Sequence, residues 1–299
     1  MSINPYRIEG PALISFSGGR TSAFMLKQIL DAWDGQLPED VHVTFANTGR
    51  EREETLRFVH DCATHWGVRV RWLEFKHRKR GEPFEEGYTE VGFNSASRNG
   101  EPFEAMLASR GSYLPNSQTR FCTIDLKIRV MRNFAKAQGW KRWKNIVGLR
   151  ADEMHRVFKA IERNHSGKEP FTTVMPMAST GKEIGHFGKT VRDVEAFWAS
   201  QPFDLALHSY EGNCDLCFLK ARGKLMKLMR DRPELADWWI KIEDQRMLRS
   251  EGLTSMRAGQ FRQDETYRKL REAAINSPEL PMFDDDEHDA ECGLLCAGE

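Results

Sequence analysis

The sequence has no excess of charge of either sign. Its 299 residues include 44 Lys and Arg against 44 Asp and Glu, so the formal net charge is zero. Bulk charge therefore gives no support to a general polyanion-binding role, and only a local basic patch would serve one.

Long apolar runs are also missing. No stretch approaches the ~18 consecutive apolar residues of a membrane-spanning helix. Residues 1–10 lack the charged-then-apolar layout of a signal peptide. We therefore expect a cytoplasmic protein with no membrane partner.

Cysteine is scarce and irregularly spaced. Six cysteines in a chain of this length are too few for a disulfide scaffold. In a reducing compartment, clustered cysteines more often indicate metal or redox chemistry. The proportions of hydrophobic residues (40%) and charged residues (29%) are typical of a globular protein.

What is present is an alternation of strand-like and helix-like patterns. Strands are predicted at residues 12–16, 41–46, 68–75 and 145–148. Helices are predicted at residues 23–30, 51–66, 125–138 and 191–201. This alternation predicts an α/β fold with a mainly parallel sheet flanked by helices.

The remaining segments are less regular. We interpret residues 76–117 as a loop or lid and residues 159–173 as a mobile connection. After residue 203 helical patterns dominate, and a tail rich in Pro and Asp follows. We therefore predict an α/β domain over residues 1–202 and a smaller helical module, with a cysteine-bearing tail, over residues 203–299.

A glycine-rich turn, residues 17–22 (Ser-Gly-Gly-Arg-Thr-Ser), joins the first strand to the first helix. Glycines let the backbone turn tightly and approach a ligand. The helix start offers unpaired N–H groups and a positive dipole end, which suit a phosphate. The alternative is an ordinary helix start reached through a flexible turn.

Ser-Gly-Gly-x-x-Ser after a first strand resembles the pyrophosphate (PP) loop of the adenine nucleotide alpha-hydrolase-like superfamily. Other segments are similar to its phosphoadenosine phosphosulfate (PAPS) reductase family, in the form often carried by phages. These are residues 45–49 followed by Glu-Glu-Thr at 53–55, then 120–127, then 148–153 with Arg156. Order and spacing match over roughly residues 12 to 220. One departure is Thr21, where many ATP-using members have Asp.

The resemblance implies an adenine nucleotide site with phosphate contacts from the loop, adenosine contacts after the second strand, and cationic anion clamps. The implied residues are Ser17, Gly18, Gly19, Arg20, Thr21, Ser22, Asn47, Thr48, Gly49, Lys127, Gly148, Arg150 and Arg156. For each Arg or Lys among them, the alternative is a solvated surface charge.

A CxxC pair, Cys214 and Cys217, lies in a turn that leads into a helix. Such a turn directs two thiolates at one centre, as an iron–sulfur cluster, zinc or a thioredoxin-like couple would use. The resemblance implies a [4Fe–4S] cluster on Cys122, Cys214 and Cys217, with Cys296 as the fourth ligand.

The tail segment Glu-Cys-Gly-Leu, residues 291–294, resembles the C-terminal signature of the reductases, in which the cysteine is the nucleophile. Cys292 is then the catalytic residue. In a second interpretation, Cys292 or Cys296 closes the cluster or a zinc site and no catalytic thiol exists. In a third, the tail is flexible and its thiols are unused.

Three functions follow. The first is a PAPS reductase-like enzyme that reduces an adenylyl-sulfate nucleotide to sulfite through a cysteine thiolate, with a thioredoxin-like reductant. The second is ATP-dependent, iron–sulfur-dependent sulfur transfer to tRNA or DNA, which the basic run at residues 76–80 favours and the zero net charge disfavours. The third is a non-catalytic nucleotide-binding protein with a structural metal. A homodimer is left open.

Overall fold

The computed structural model describes residues 4–111, 113–178, 188–208, 210–249 and 259–277. The strands are β1 (Ala12–Ser15), β2 (Val41–Asn47), β3 (Val70–Phe75), β4 (Tyr88–Val91), β5 (Trp143–Ile146) and β6 (Phe171–Val174). The helices of the first half are α1 (Arg20–Ala32), α2 (Glu53–His65), α3 (Glu101–Ser109), α4 (Phe121–Thr123) and α5 (Val130–Ala137), with a π-helical turn (Ile124–Arg129) between the last two. The later helices are α6 (Met154–Ser166), α7 (Val191–Ala199), α8 (Arg222–Asp231), α9 (Ala236–Arg249) and α10 (Tyr267–Asn276).

The strands form one sheet in the order β4-β3-β2-β1-β5-β6. Every pairing is parallel except that of β4 with β3. The chain moves outward from β1 through β2 and β3, and it returns to the other side of β1 as β5. The predicted α/β fold with a mainly parallel sheet is confirmed, and the strand order reverses between β1 and β5, which is where such sheets bind ligands.

Helices cover both faces of the sheet because successive side chains of a strand point to opposite sides. In β1, Ala12 and Ile14 belong to a core shared with α1, α2 and α7. Leu13 belongs to a second core, which contains Trp239 and Tyr267 from the C-terminal helices. Apolar packing is therefore continuous across residue 202, and the predicted division of the chain there stays a prediction.

Two of the irregular segments are more ordered than the sequence patterns indicate. The prediction of a mobile connection at residues 159–173 is wrong, since α6 continues to residue 166 and β6 follows. Val157 and Ala160 bury one side of α6, and Asn164 bonds to both the N–H and the carbonyl of Thr173 at 2.8 Å. The segment 76–117 likewise contains β4 and α3. Short helices and strands contain too few apolar residues for hydrophobic periodicity to predict them.

Among the described helices, none is long and apolar enough to cross a membrane.

Candidate nucleotide site

The turn predicted to bind phosphate, which we call the phosphate loop (residues 17–22), connects β1 to α1 at the point where the strand order reverses. Gly18 has φ +82°, a conformation that side-chain-bearing residues rarely adopt. A Cβ atom at Gly18 would lie 2.6 Å from Cγ2 of Thr55 on α2. Both the backbone conformation and the space around it therefore require glycine here.

Hydroxyl groups hold the phosphate loop in shape from within. Ser22 donates its hydroxyl hydrogen to the carbonyl of Gly19 at 3.0 Å and accepts the N–H of Ser17 at 3.2 Å. The hydroxyls of Ser17 and Ser22 lie 2.8 Å apart. Because the single hydrogen of Ser22 is already donated to Gly19, the Ser17 hydroxyl is the donor of this pair.

The main-chain N–H groups of the loop are left unused. Gly19 caps α1 without a side-chain hydrogen bond. Within the part of the chain that the structure describes, the N–H groups of residues 18–22 bond to no acceptor. The first turn of any helix leaves such donors unsatisfied, and they attract anions. The loop thus presents a row of donors to an anionic group.

The β5 side of the site brings a cation to the same place. Gly148, just after β5, packs so closely that its Cβ would lie 3.2 Å from Cα of Ser22. Arg150 is buried (7% exposed), and its Nη1 donates to Oγ1 of Thr21 at 3.2 Å. Asp152 accepts from Nε of Arg150 at 2.9 Å and keeps the guanidinium in position. Arg150 is therefore a positive charge fixed beside the phosphate loop.

Like Arg150, which pairs with Asp152 at 2.9 Å and with Glu153 at 3.7 Å, two other predicted cations are paired with carboxylates. Arg20 makes two bonds of 2.6 Å to Asp204, on the segment that follows α7. Arg156 pairs with Glu153 at the start of α6. The Arg20 side chain thus connects the phosphate loop to the segment that contains Asp204.

Asn47, predicted to contact adenosine, ends β2 and is fully buried. Its amide nitrogen donates to Oε1 of Glu74 at 2.6 Å and to the carbonyl of Ser97 at 2.9 Å. Its amide oxygen accepts the N–H of Gly49 at 3.1 Å. The side chain thus joins β2, β3 and the segment before α3.

Glu51 is a buried residue that the sequence patterns did not single out. Both the N–H and the hydroxyl of Thr48 donate to its Oε2, at 2.8 and 2.9 Å. Lys127 Nζ lies 4.0 Å from its Oε1. Burial raises the pKa of Glu51. The sequence pattern predicted a helix that begins at Glu51, whereas α2 begins at Glu53.

The CxxC turn brings the thiols of Cys214 and Cys217 close enough to affect each other's ionisation. The neighbouring Cys217 thiol, together with burial, raises the pKa of Cys214. Cys122, in α4, packs against the same core as Cys214. No three His, Cys, Asp or Glu side chains of the described residues are arranged to hold a metal ion. Cys292 and Cys296 lie outside the described residues. Of the four thiols that a [4Fe–4S] site needs, Cys214 and Cys217 are the two that the described residues place side by side.

The CxxC turn lies directly against the phosphate loop. Asn213, the residue before the CxxC pair, donates its side-chain N–H to the carbonyl of Ser17 at 3.0 Å. Arg52 donates its N–H to the carbonyl of Asn213 at 2.9 Å, and Asp215 donates its N–H to the carbonyl of Arg50 at 3.0 Å. No local sequence signal could have identified Asn213, because its partners are distant in the chain.

Two of the five residues in the basic run at residues 76–80 make side-chain contacts within their own segment. Lys76 pairs with Glu86. The Arg78 guanidinium donates to the carbonyl of Glu82 at 2.5 Å and lies 4.8 Å from the ring of Phe84. This part of the run therefore offers less unpaired charge to a nucleic acid than its sequence indicates.

No family model matches the chain. It is similar to an uncharacterized nin region protein, ORF290, of Escherichia phage lambda, with 29% identity over 228 residues that cover 75% of this chain and 71% of that protein. It is also similar to an uncharacterized protein, MJ0066, of Methanocaldococcus jannaschii, with 25% identity over 243 residues. That match covers 79% of this chain but only 42% of the archaeal protein.

Proposed function

We propose that the chain binds an adenine nucleotide at the phosphate loop and acts on an adenylyl-sulfate nucleotide as a PAPS reductase-like enzyme. One observation carries the proposal. Where the strand order reverses, the N–H groups of residues 18–22, which bond to no acceptor among the described residues, lie beside the buried guanidinium of Arg150. Backbone donors and a fixed guanidinium together suit a phosphate or sulfate group better than any neutral ligand.

In this proposal the phosphate loop binds the anionic end of the nucleotide. Arg150 supplies a guanidinium that is shielded from solvent because it is buried. Asp152 and Thr21 hold it in place, and Glu153 lies 3.7 Å from its Nη1. The resemblance to the reductases supplies Cys292 as the nucleophile. Its thiolate would bond to the sulfate sulfur as the sulfur–oxygen bond to the nucleotide breaks. A thioredoxin-like dithiol in the cytoplasm would then supply the electrons that release sulfite.

A [4Fe–4S] cluster is also proposed, but neither the thiolate attack nor the release of sulfite requires it. Cys122, Cys214, Cys217 and Cys296 would hold it, and a cluster there would tune the electrostatics of the neighbouring site. The neighbouring thiols of Cys214 and Cys217 fit half of this ligand set. Iron, sulfide and zinc analysis after anaerobic purification tests the other half.

Nucleotide affinity tests the proposal directly. We expect the wild-type chain to bind PAPS, and the R150Q variant to bind it at least about 10-fold more weakly, because a charge-assisted hydrogen bond contributes about 1.5–3 kcal/mol. Isothermal titration calorimetry with PAPS, adenosine 5′-phosphosulfate, ATP and AMP measures both the affinity and the preference.

The matched control is R71Q. Arg71 lies on β3 and pairs with Glu90 on the edge strand β4, so its loss removes a cation away from the loop and leaves the affinity unchanged. Equal affinities of wild type and R150Q would contradict the assignment of the site. A clear preference for ATP over PAPS would shift the proposal to ATP-dependent sulfur transfer.

A further inference from the structure

The side chain of Asn213 determines how one peptide of the phosphate loop is oriented. Its amide nitrogen donates to the carbonyl of Ser17 at 3.0 Å, a contact between residues 196 positions apart. In a planar trans peptide, the carbonyl and the following N–H point in opposite directions. The bond from Asn213 to Ser17 therefore fixes the direction of the Gly18 N–H, the first of the unpaired donors in the loop.

The backbone of Asn213 is itself held by a short antiparallel ribbon, which consists of residues 50–52 and 213–215. Glu51 and Cys214 pair at its centre. Hydrogen bonds of 2.9 and 3.0 Å flank that pair, from the N–H of Arg52 to Asn213 and from the N–H of Asp215 to Arg50. Asn213 and Cys214 are adjacent in this ribbon, so a displacement of one moves the other.

The far end of the ribbon is fixed to the core. The Asp215 carboxylate pairs with Arg50 and accepts the indole N–H of Trp239 at 3.0 Å. The Arg50 guanidinium lies 4.8 Å from the ring of Trp238. Asp215 is 3% exposed. This end of the ribbon is therefore held among buried rings.

We propose that Asn213 is a positioning residue that couples the CxxC turn to the nucleotide site. The inference rests on the proposed nucleotide binding and adds to it a connection between two sites. Coupling between two sites is reciprocal. Nucleotide at the phosphate loop stabilises the ribbon, and a displacement of the CxxC turn alters nucleotide affinity through the peptide of Ser17.

Hydrogen–deuterium exchange on the full chain, with and without saturating PAPS, tests the coupling. In wild type we expect the amides of Arg52 and Asp215 to exchange about 5-fold or more slowly when PAPS is bound. In N213D, which keeps the side-chain volume but cannot donate to a carbonyl, we expect PAPS still to bind, with reduced affinity, and the protection of both amides to be lost. N213A serves as a second variant without the donor.

The matched control is N164A, which removes a half-buried amide between α6 and β6. It must keep the nucleotide-dependent protection, because an amide that is only structural does not transmit binding. Wild-type protein that binds PAPS without protecting the ribbon overturns the coupling, as does full protection in N213D. Wild-type protein that binds none of the four nucleotides overturns the proposed function and the coupling with it.

Discussion

The loops that follow β1 and β2 lie at the same edge of the sheet, yet they use their polar groups in opposite ways. In the phosphate loop, the N–H groups of residues 18–22 bond to no acceptor among the described residues. In the second loop, the N–H groups of Thr48, Gly49, Arg50 and Arg52 each bond to an acceptor of the protein itself.

This difference favours a ligand for the phosphate loop and a supporting role for the second loop. Position at the carboxyl edge of a parallel sheet is shared by both, so position alone does not distinguish them. Unused hydrogen-bonding capacity does distinguish them, because a polar group left without a partner gains most from a ligand. The second loop instead holds the CxxC turn and the start of α2 in place.

The largest expected effect is that of G18A. The left-handed conformation costs about 1–2 kcal/mol for a residue with a Cβ, and the overlap with Thr55 adds about 1–3 kcal/mol. We expect the free energy of unfolding to fall by about 2–5 kcal/mol, together with a loss of nucleotide binding. Guanidinium denaturation and PAPS titration measure the two quantities.

G35A is the matched control. Gly35 has nearly the same φ, +84°, but no atom lies within 4 Å of a Cβ placed there. Only the conformational cost of about 1–2 kcal/mol should appear. If the two variants lose the same stability, the phosphate loop is not tightly packed, and the contrast between the loops weakens.

A pH effect in the C-terminal region comes next in size. Glu243 accepts the N–H groups of Phe261 and Tyr267 at 3.1 and 2.7 Å, and burial raises its pKa to about 7. The pKa of Glu243 is 4.5 in the unfolded chain and about 7 in the folded chain. Between these two pH values the folded chain therefore keeps the proton that the unfolded chain loses. The contribution of Glu243 to stability is therefore greatest below pH 4.5, and it falls by about 3 kcal/mol as the pH rises through this window.

The stability effects of loop variants are compared best without the pH-dependent contribution of Glu243. We expect E243Q to flatten the dependence of unfolding free energy on pH between about 4.5 and 7, because the amide resembles the protonated carboxyl. Urea denaturation across the window, with wild type alongside, measures the difference. An identical slope in both proteins would show that Glu243 titrates as an ordinary surface residue.

The smallest of these effects concerns the supporting loop. N47A removes the donors to Glu74 and Ser97, and we expect a loss of about 2 kcal/mol in stability. Nucleotide affinity should change by less than about 3-fold. Asn133, a buried amide that donates to Gly87 at 3.3 Å, provides the control variant N133A. A large loss of affinity in N47A alone would make Asn47 a ligand contact, as the sequence resemblance implies.

Local patterns in the sequence predicted much of this fold and the centre of the site. The apolar run of β1, the two glycines and the start of α1 are contiguous, and each has a physical signature of its own. The CxxC spacing predicted two neighbouring thiols for the same reason. These features depend on residues a few positions apart.

The parts that the sequence did not predict depend on contacts between distant residues. Glu51 is buried because Thr48 and Lys127 surround it, and nothing in its neighbours distinguishes it from an exposed glutamate at a helix start. The strand β6 is ordered by its pairing with β5 and by Asn164. A hydrogen bond such as that of Asn213 leaves no trace in the pattern of either segment.

The ion pair of Arg20 with Asp204 has a consequence for how the chain can be divided. Asp204, the carbonyl of Leu207 that accepts from Arg20 at 3.3 Å, and Asn213 all contact the phosphate loop or its first helical residue from outside. All three follow residue 202 in the sequence. A split protein or fusion that is cut at residue 202 would therefore place the glycines of the loop on one fragment and the groups that orient them on the other.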